Sequence, residues 1–211
     1  MSTRTLHVDA RRGLRWAAGF GERHGSVTAA PVDGGVLLTA TDGATAHLLT
    51  PFPAPRLDPS PGSVEDLVAE ALRPRTVAAV LARRGGYACA VVTTETVVAS
   101  KVGTRYVQGR TAAGGWSQQR FARRRENQTD DLVRTCSDVA ARVLDPAGRG
   151  FDGVLTGGDR SLVERVLADP RLARLTTVPA GPHLTIGDPR SEVVKALPEA
   201  VRSLTITLTE P

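Results

Sequence analysis

Three runs rich in Val, Ala and Thr lie together between Thr76 and Val102, and they limit the fold more than any other stretch of the chain. They cover 76–82, 87–93 and 96–102 and are broken only by Arg84-Gly85-Gly86 and Thr94-Glu95. β-branched and small apolar residues in pieces of this length suit strands, and such short connections join only antiparallel neighbours. The spacing predicts three strands linked by hairpins. Downstream the period changes. Leu132, Val133, Cys136, Val139, Ala140, Val143 and Leu144 recur at helical spacing, and Asp145-Pro146 and Gly148 stop the helix. A strand at 153–156, a helix at 161–168 capped by Asp159 or Ser161, a strand at 175–178, a helix at 191–200 and a last strand at 204–208 follow. The expected fold class is α/β, a mixed sheet with flanking helices.

The N-terminal part has a different texture. A helix is possible at 11–20. Strand-like runs at 27–32 and 36–41 flank Asp33-Gly34-Gly35, a hairpin signal, and a third apolar run covers 44–49. Residues 51–61 hold five prolines and read as an extended linker. A short helix at 64–72 opens on Ser63 as N-cap, with Glu65 and Asp66 in its first turn. The expected division is a small β-rich N-terminal appendage with its linker, 1–62, and a main domain, 63–211. The appendage carries no catalytic signature.

Composition excludes several classes. No segment approaches the roughly 18 apolar residues that span a bilayer, and the N-terminus lacks an apolar signal-peptide core, so no membrane partner and a cytoplasmic location are expected. Cys89 and Cys136 make neither a disulfide framework nor a metal site and sit among apolar neighbours, as buried packing residues do. His7, His24, His47 and His183 are too scattered for a metal set. Ser117 has no evident His and Asp partners. Asp130, Asp131, Asp138 and Asp152 do not describe a two-metal cluster. No metal and no cofactor are expected. Thr156-Gly157-Gly158-Asp159 matches no nucleotide-binding fingerprint and reads as a turn before a helix.

The chemistry concentrates between Gly109 and Asn127. A loop of small residues ends in Gly114-Gly115, then come Trp116-Ser117-Gln118-Gln119 and Arg120-Phe121-Ala122-Arg123-Arg124-Arg125. From Lys101 to Arg125 there are seven basic residues and no acidic one. Acid-free arginine runs are an electrostatic footprint of a nucleic-acid partner, whereas a merely soluble face intersperses both signs. Residues 118–128 suit a helix but are nearly all polar, so the front of that helix is expected to leave the core.

This stretch resembles the catalytic loop of class-1 peptide release factors of eukaryotes and archaea, in which Gly-Gly-Gln precedes a helix like Arg120-Phe121-Ala122-Arg123. Trp116 stands where the strict motif has glutamine. The looser Gly-x-x-Gln pattern, met by Gly115-Trp116-Ser117-Gln118, is that of the sister group, the Vms-type release-factor-like peptidyl-tRNA hydrolase domains, here of actinobacterial type. The resemblance covers roughly 76–209 and implies a ribonuclease-H-like fold. It also implies ribosome-dependent hydrolysis of peptidyl-tRNA on the large subunit, in rescue of stalled ribosomes. It makes Gln118 the catalytic residue, with Gln119 the alternative, and Gly114 and Gly115 the shapers of the loop. Arg110, Trp116, Arg120, Arg123, Arg124 and Arg125 would hold rRNA or tRNA. Glutamine does not titrate, so it can only orient a water or donate a hydrogen bond. A monomer is expected. The alternatives are a non-catalytic rRNA- or tRNA-binding module and a free-standing esterase or nuclease, the last disfavoured by the lack of a nucleophile–base set.

Overall fold

The computed structural model describes residues 2–52, 62–104, 116–144 and 150–211, without the side chains of 116–122. In chain order the elements are β1 (Ser2–Asp9), α1 (Gly13–His24), β2 (Val27–Val32), β3 (Gly35–Ala40), β4 (Thr45–Leu49), α2 (Val64–Leu72), β5 (Thr76–Arg83), β6 (Gly86–Thr93), β7 (Val97–Thr104), α3 (Trp116–Leu144), β8 (Gly153–Gly158), α4 (Arg160–Leu167), β9 (Ala180–Leu184), α5 (Ser191–Lys195), α6 (Leu197–Arg202) and β10 (Ser203–Glu210). The fold class is α/β. Two compact units form: Met1–Arg75 with Pro198–Pro211, and Thr76–Leu197.

The first unit is an antiparallel sheet in the order β1-β10-β4-β3-β2. Val36, Leu38, Ala46, Leu48, Leu204, Ile206 and Leu208 form its buried face, joined by Phe20 of α1 and Leu67, Val68 and Ala71 of α2. The strict alternation shows on the other face, where Thr3, Thr209, Thr45, Thr39 and Thr28 stand in one cross-strand row. Arg202, the last residue of α6, donates to Asp9 at 2.9 Å and ties the end of the first strand to the start of the last. Burial raises the Asp9 carboxyl, but that bond and the Arg11 amide outweigh it and hold the group below its ordinary value.

This division departs from the expected boundary at residue 62. Helix α2 and strand β10, assigned by sequence to the main domain, belong to the first unit. Their apolar faces complete a core shared with α1, β3 and β4, and the pairing of Ser2 with Glu210 joins residues more than two hundred positions apart. Pairing at that separation leaves no local signal. Strand β1 has no local signal for the same reason.

The second unit is a mixed sheet in the order β7-β6-β5-β8-β9, with β5, β6 and β7 antiparallel and β8 and β9 parallel to β5. Strands β5 and β6 are buried at nearly every position, which is why their sequences are continuous apolar runs rather than alternating ones. One face packs Ala78, Val80, Cys89 and Val91 against Leu132, Cys136, Val139 and Ala140 of α3 and Leu162, Val163 and Val166 of α4. Residues 170–176 form a 3-10 helix where a strand at 175–178 was expected; Asp169 caps it and Pro170 opens it, placing Leu172 and Leu175 in the core. The expected helix at 191–200 is broken at Ala196 into α5 and α6, with Pro198 in the first turn of α6, where its ring and missing N–H oppose a continuous helix.

The end of β7 feeds the glycine-rich stretch, and its seat is tight. A Cβ at Gly103 would fall 2.3 Å from Cζ of Tyr87, a ring only 5% exposed. Gly103→Ala is expected to destabilise the fold by about 1–3 kcal/mol, as overpacking does, in denaturant unfolding.

Candidate functional site

Helix α3 is long enough to do two jobs. Its 29 residues make a rod of roughly 43 Å. The C-terminal half is anchored: Leu132, Cys136, Ala140 and Leu144 are fully buried and Val139 nearly so, on one stripe. In the N-terminal half no described side chain from Arg123 to Asp131 is buried, and Arg123, Arg124, Glu126 and Asn127 are exposed. The helix therefore begins outside the apolar core, as its polar sequence required.

The motif residues divide at the helix start. Trp116, Ser117, Gln118, Gln119 and Arg120 lie within the first turns of α3. The resemblance places the Gly-x-x-Gln pattern in a loop; Trp116, Ser117 and Gln118 are here the beginning of the helix. Gly109, Arg110, Gly114 and Gly115 lie outside the described residues, as do the side chains of Trp116, Gln118, Gln119 and Arg120. Arg123, Arg124 and Arg125 stand on consecutive positions of the exposed half, with Arg125 half-buried.

The anchored half of α3 is held by more than its apolar stripe. Arg165 of α4 meets Asp130 at 2.6 Å, Arg171 meets Asp138 at 2.8 Å, and Arg174 donates to the Leu144 carbonyl at 2.5 Å. Each exposed ion pair contributes at most about 1 kcal/mol, so these bonds orient the helix more than they stabilise it. The four aspartates weighed as metal ligands are all engaged: Asp130 and Asp138 as above, Asp131 with Arg134, and Asp152 accepting the Thr76 amide at 2.7 Å.

Sequence reading did not find the cysteine contact. Cys89 of β6 and Cys136 of α3 place their sulfurs 3.9 Å apart, both as free thiols in the core. The hydrogen bond with Cys136, and then burial, push the Cys89 thiol well up. Only packing of a helix on a strand could reveal this pair, since 47 residues separate its members.

Two clefts of the second unit adjoin the strand ends. One, of about 540 Å³, is lined by Arg83, Arg84, Asp159, Ile186 and Asp188; the other, of about 360 Å³, reaches Thr104, after which the chain enters the glycine-rich stretch. Acidic and basic groups alternate in both, so neither is a plain anion site. The Gly-Gly-Asp turn is explained by packing. Gly158 sits at φ +94°, a Cβ there would fall 2.2 Å from the Ala82 carbonyl oxygen, and Asp159 caps α4 by accepting the Ser161 and Leu162 amides. The Ser161 hydroxyl, outweighing burial, holds the Asp159 carboxyl below its ordinary value. His183 of β9 lies between the Thr156 hydroxyl, at 2.9 Å, and the Gly158 carbonyl, at 3.1 Å.

A hairpin-built mixed sheet that carries a glycine-rich stretch and an arginine-faced helix running out of the core defines a release-factor-like domain. The family model described as Actinobacteria/chloroflexi VLRF1 release factor matches residues 75–207. The chain belongs to that family. The match covers the second unit and runs on into β10 of the first. A comparison with curated protein sequences gave no match.

Two outcomes are expected from the anchor. The Arg171 guanidinium and amide hold Asp169 at about pKa 2 against some burial. A lowered carboxylate stabilises the fold fully above its unfolded value of about 3.9, and the contribution is lost as pH falls through about 2. Asp169→Asn should therefore lower the thermal midpoint at pH 5 and leave it close to wild type near pH 2. Second, both thiols should resist a thiol-specific reagent at pH 8 in the native protein and react in denaturant, because both are fully buried in the fold.

Proposed function

We propose that the protein hydrolyses the ester of peptidyl-tRNA on the large ribosomal subunit, releasing nascent chains from stalled ribosomes in the cytoplasm. The observation that carries this reading is the Gly115-Trp116-Ser117-Gln118 sequence at the head of a helix that leaves the core arginine-first, in a chain of the VLRF1 release-factor family. Gln118 is the working residue, with Gln119 next in line. Gly114 and Gly115 let the backbone approach the ester closely. Arg110, Trp116, Arg120, Arg123, Arg124 and Arg125 hold rRNA and tRNA, the arginines by planar forks suited to phosphate. The strand order β7-β6-β5-β8-β9, a hairpin meander followed by parallel strands, supports a ribonuclease-H-like reading of the second unit.

The division of labour follows from what glutamine can do. An uncharged amide cannot take a proton from water, so it orients the attacking water or donates to the developing oxyanion. The peptidyl-transferase centre already holds the ester, and the protein supplies position, which is worth about 7–11 kcal/mol in favourable cases. No metal or cofactor takes part in this scheme.

The test is release of a labelled peptide from ribosome-bound peptidyl-tRNA. Gln118→Ala should slow release on the order of 10²-fold or more, the usual loss for one such donor. Gly115→Val should abolish release and leave ribosome binding intact. Retention of full activity by Gln118→Ala would move the chemistry to Gln119. Binding without release by wild type would favour the docking-module reading.

A further inference from the structure

The first unit, which the proposed chemistry leaves without a task, carries an uncommitted set of charges. It holds nine arginines and ten acidic side chains, so it has no general basic character. Its described arginines outside 11–23 are all in ion pairs: Arg4 with Glu210 at 3.6 Å, Arg73 with Glu70 at 3.6 Å, Arg75 with Glu70, and Arg202 with Asp9 at 2.8 Å. Arg12, Arg15 and Arg23 are exposed and make no ion pair or hydrogen bond among the described residues. Glu22, the one acid of α1, does not pair with them among the described residues either.

These three share one side of a helix. Arg12 is the N-cap of α1, and Arg15, Gly19 and Arg23 follow at spacings of three and four. Gly19 has a use here. A Cβ at that position would lie 3.3 Å from Nη1 of Arg23, so the guanidinium folds back along the helix into the space a side chain would take, towards Arg15. The stripe spans about 16 Å along the axis.

We propose that this stripe is a docking surface for the phosphate backbone of double-helical RNA, separate from the arginines of α3. Unpaired guanidinium groups in a row complement a row of phosphates, and each presents a fork that accepts two phosphate oxygens. The apolar side of α1 is already committed: Phe20 is fully buried, and Trp16 stacks on it with ring centroids 5.8 Å apart and planes within 10°. That leaves no aromatic platform for single-stranded bases and no apolar face for a bilayer, Leu14 being the helix's one exposed large apolar residue. Phosphate contact without base contact suits a duplex. The choice of RNA rests on the reading under Proposed function; the stripe itself does not.

The experiment uses the full-length protein and a 20-base-pair RNA duplex, with affinity measured by fluorescence anisotropy over a series of KCl concentrations. Three lost phosphate contacts should make the plot of log affinity against log salt shallower by about 2–3 in Arg12→Ala/Arg15→Ala/Arg23→Ala. The triple lysine variant should keep most of the slope, and neither variant should lower the thermal midpoint. Gln118→Ala should keep the wild-type slope, and absence of peptide release by the wild-type protein, with its arginine-dependent slope intact, would sink the hydrolase reading alone. An unchanged slope in the alanine variant overturns the docking surface, as does arginine-dependent binding to phosphatidylserine vesicles in place of the duplex.

Discussion

Burial of the C-terminal half of α3 against β6 is the interaction from which the rest of the second unit follows. Leu132, Cys136, Val139, Ala140 and Leu144 meet Tyr87, Cys89 and Val91 in one cluster. A fully buried Leu or Val contributes about 1.5–3 kcal/mol, several times the value of any ion pair along the same helix. The apolar stripe therefore decides where the helix lies, and the arginine–aspartate pairs refine its direction. Because the stripe begins at Leu132, the described side chains before it, from Arg123 to Asp131, bury nothing, and Arg123 and Arg124 are exposed. A helix has to propagate from a packed nucleus to exist in water, so the polar front half depends on the apolar back half.

The root of the glycine-rich stretch is fixed with similar economy. Strand β7 is an edge strand, and it reaches Thr104 by running Gly103 beneath the Tyr87 ring and Gly86 beside the Gly103 carbonyl. Neither glycine needs an unusual dihedral; both are required by close approach. Rigid placement of the strand that enters and the helix that leaves is what a positioning mechanism requires, since misplacement by an ångström is costly when the chemistry depends on geometry.

The first unit solves its electrostatics differently from the second. Arg4, Arg73, Arg75 and Arg202 are paired with acids across the sheet and along α2, and three arginines at the cap and on the exposed side of α1 remain over. Leaving like charges close together on one helix costs some stability. A fold whose described arginines outside 11–23 are neutralised would gain by neutralising these too, unless a partner does so.

Sequence alone determined the elements whose cause is local. The hairpins of β5, β6 and β7, the amphipathic second half of α3 and the polar front that leaves the core were legible, because period and turn residues act over a few positions. So were the Ser63 cap, where the hydroxyl accepts the Asp66 amide at 3.1 Å, and the glycine–glutamine–arginine motif that points to the family. Tertiary structure decided the remainder. The pairing of β1 with β10, the transfer of α2 and β10 to the first unit, the Cys89–Cys136 contact and the isolation of three arginines on α1 all depend on residues far apart in sequence. Each results from completing a buried face or balancing a charge, and only the closed fold determines which partners are left to do so.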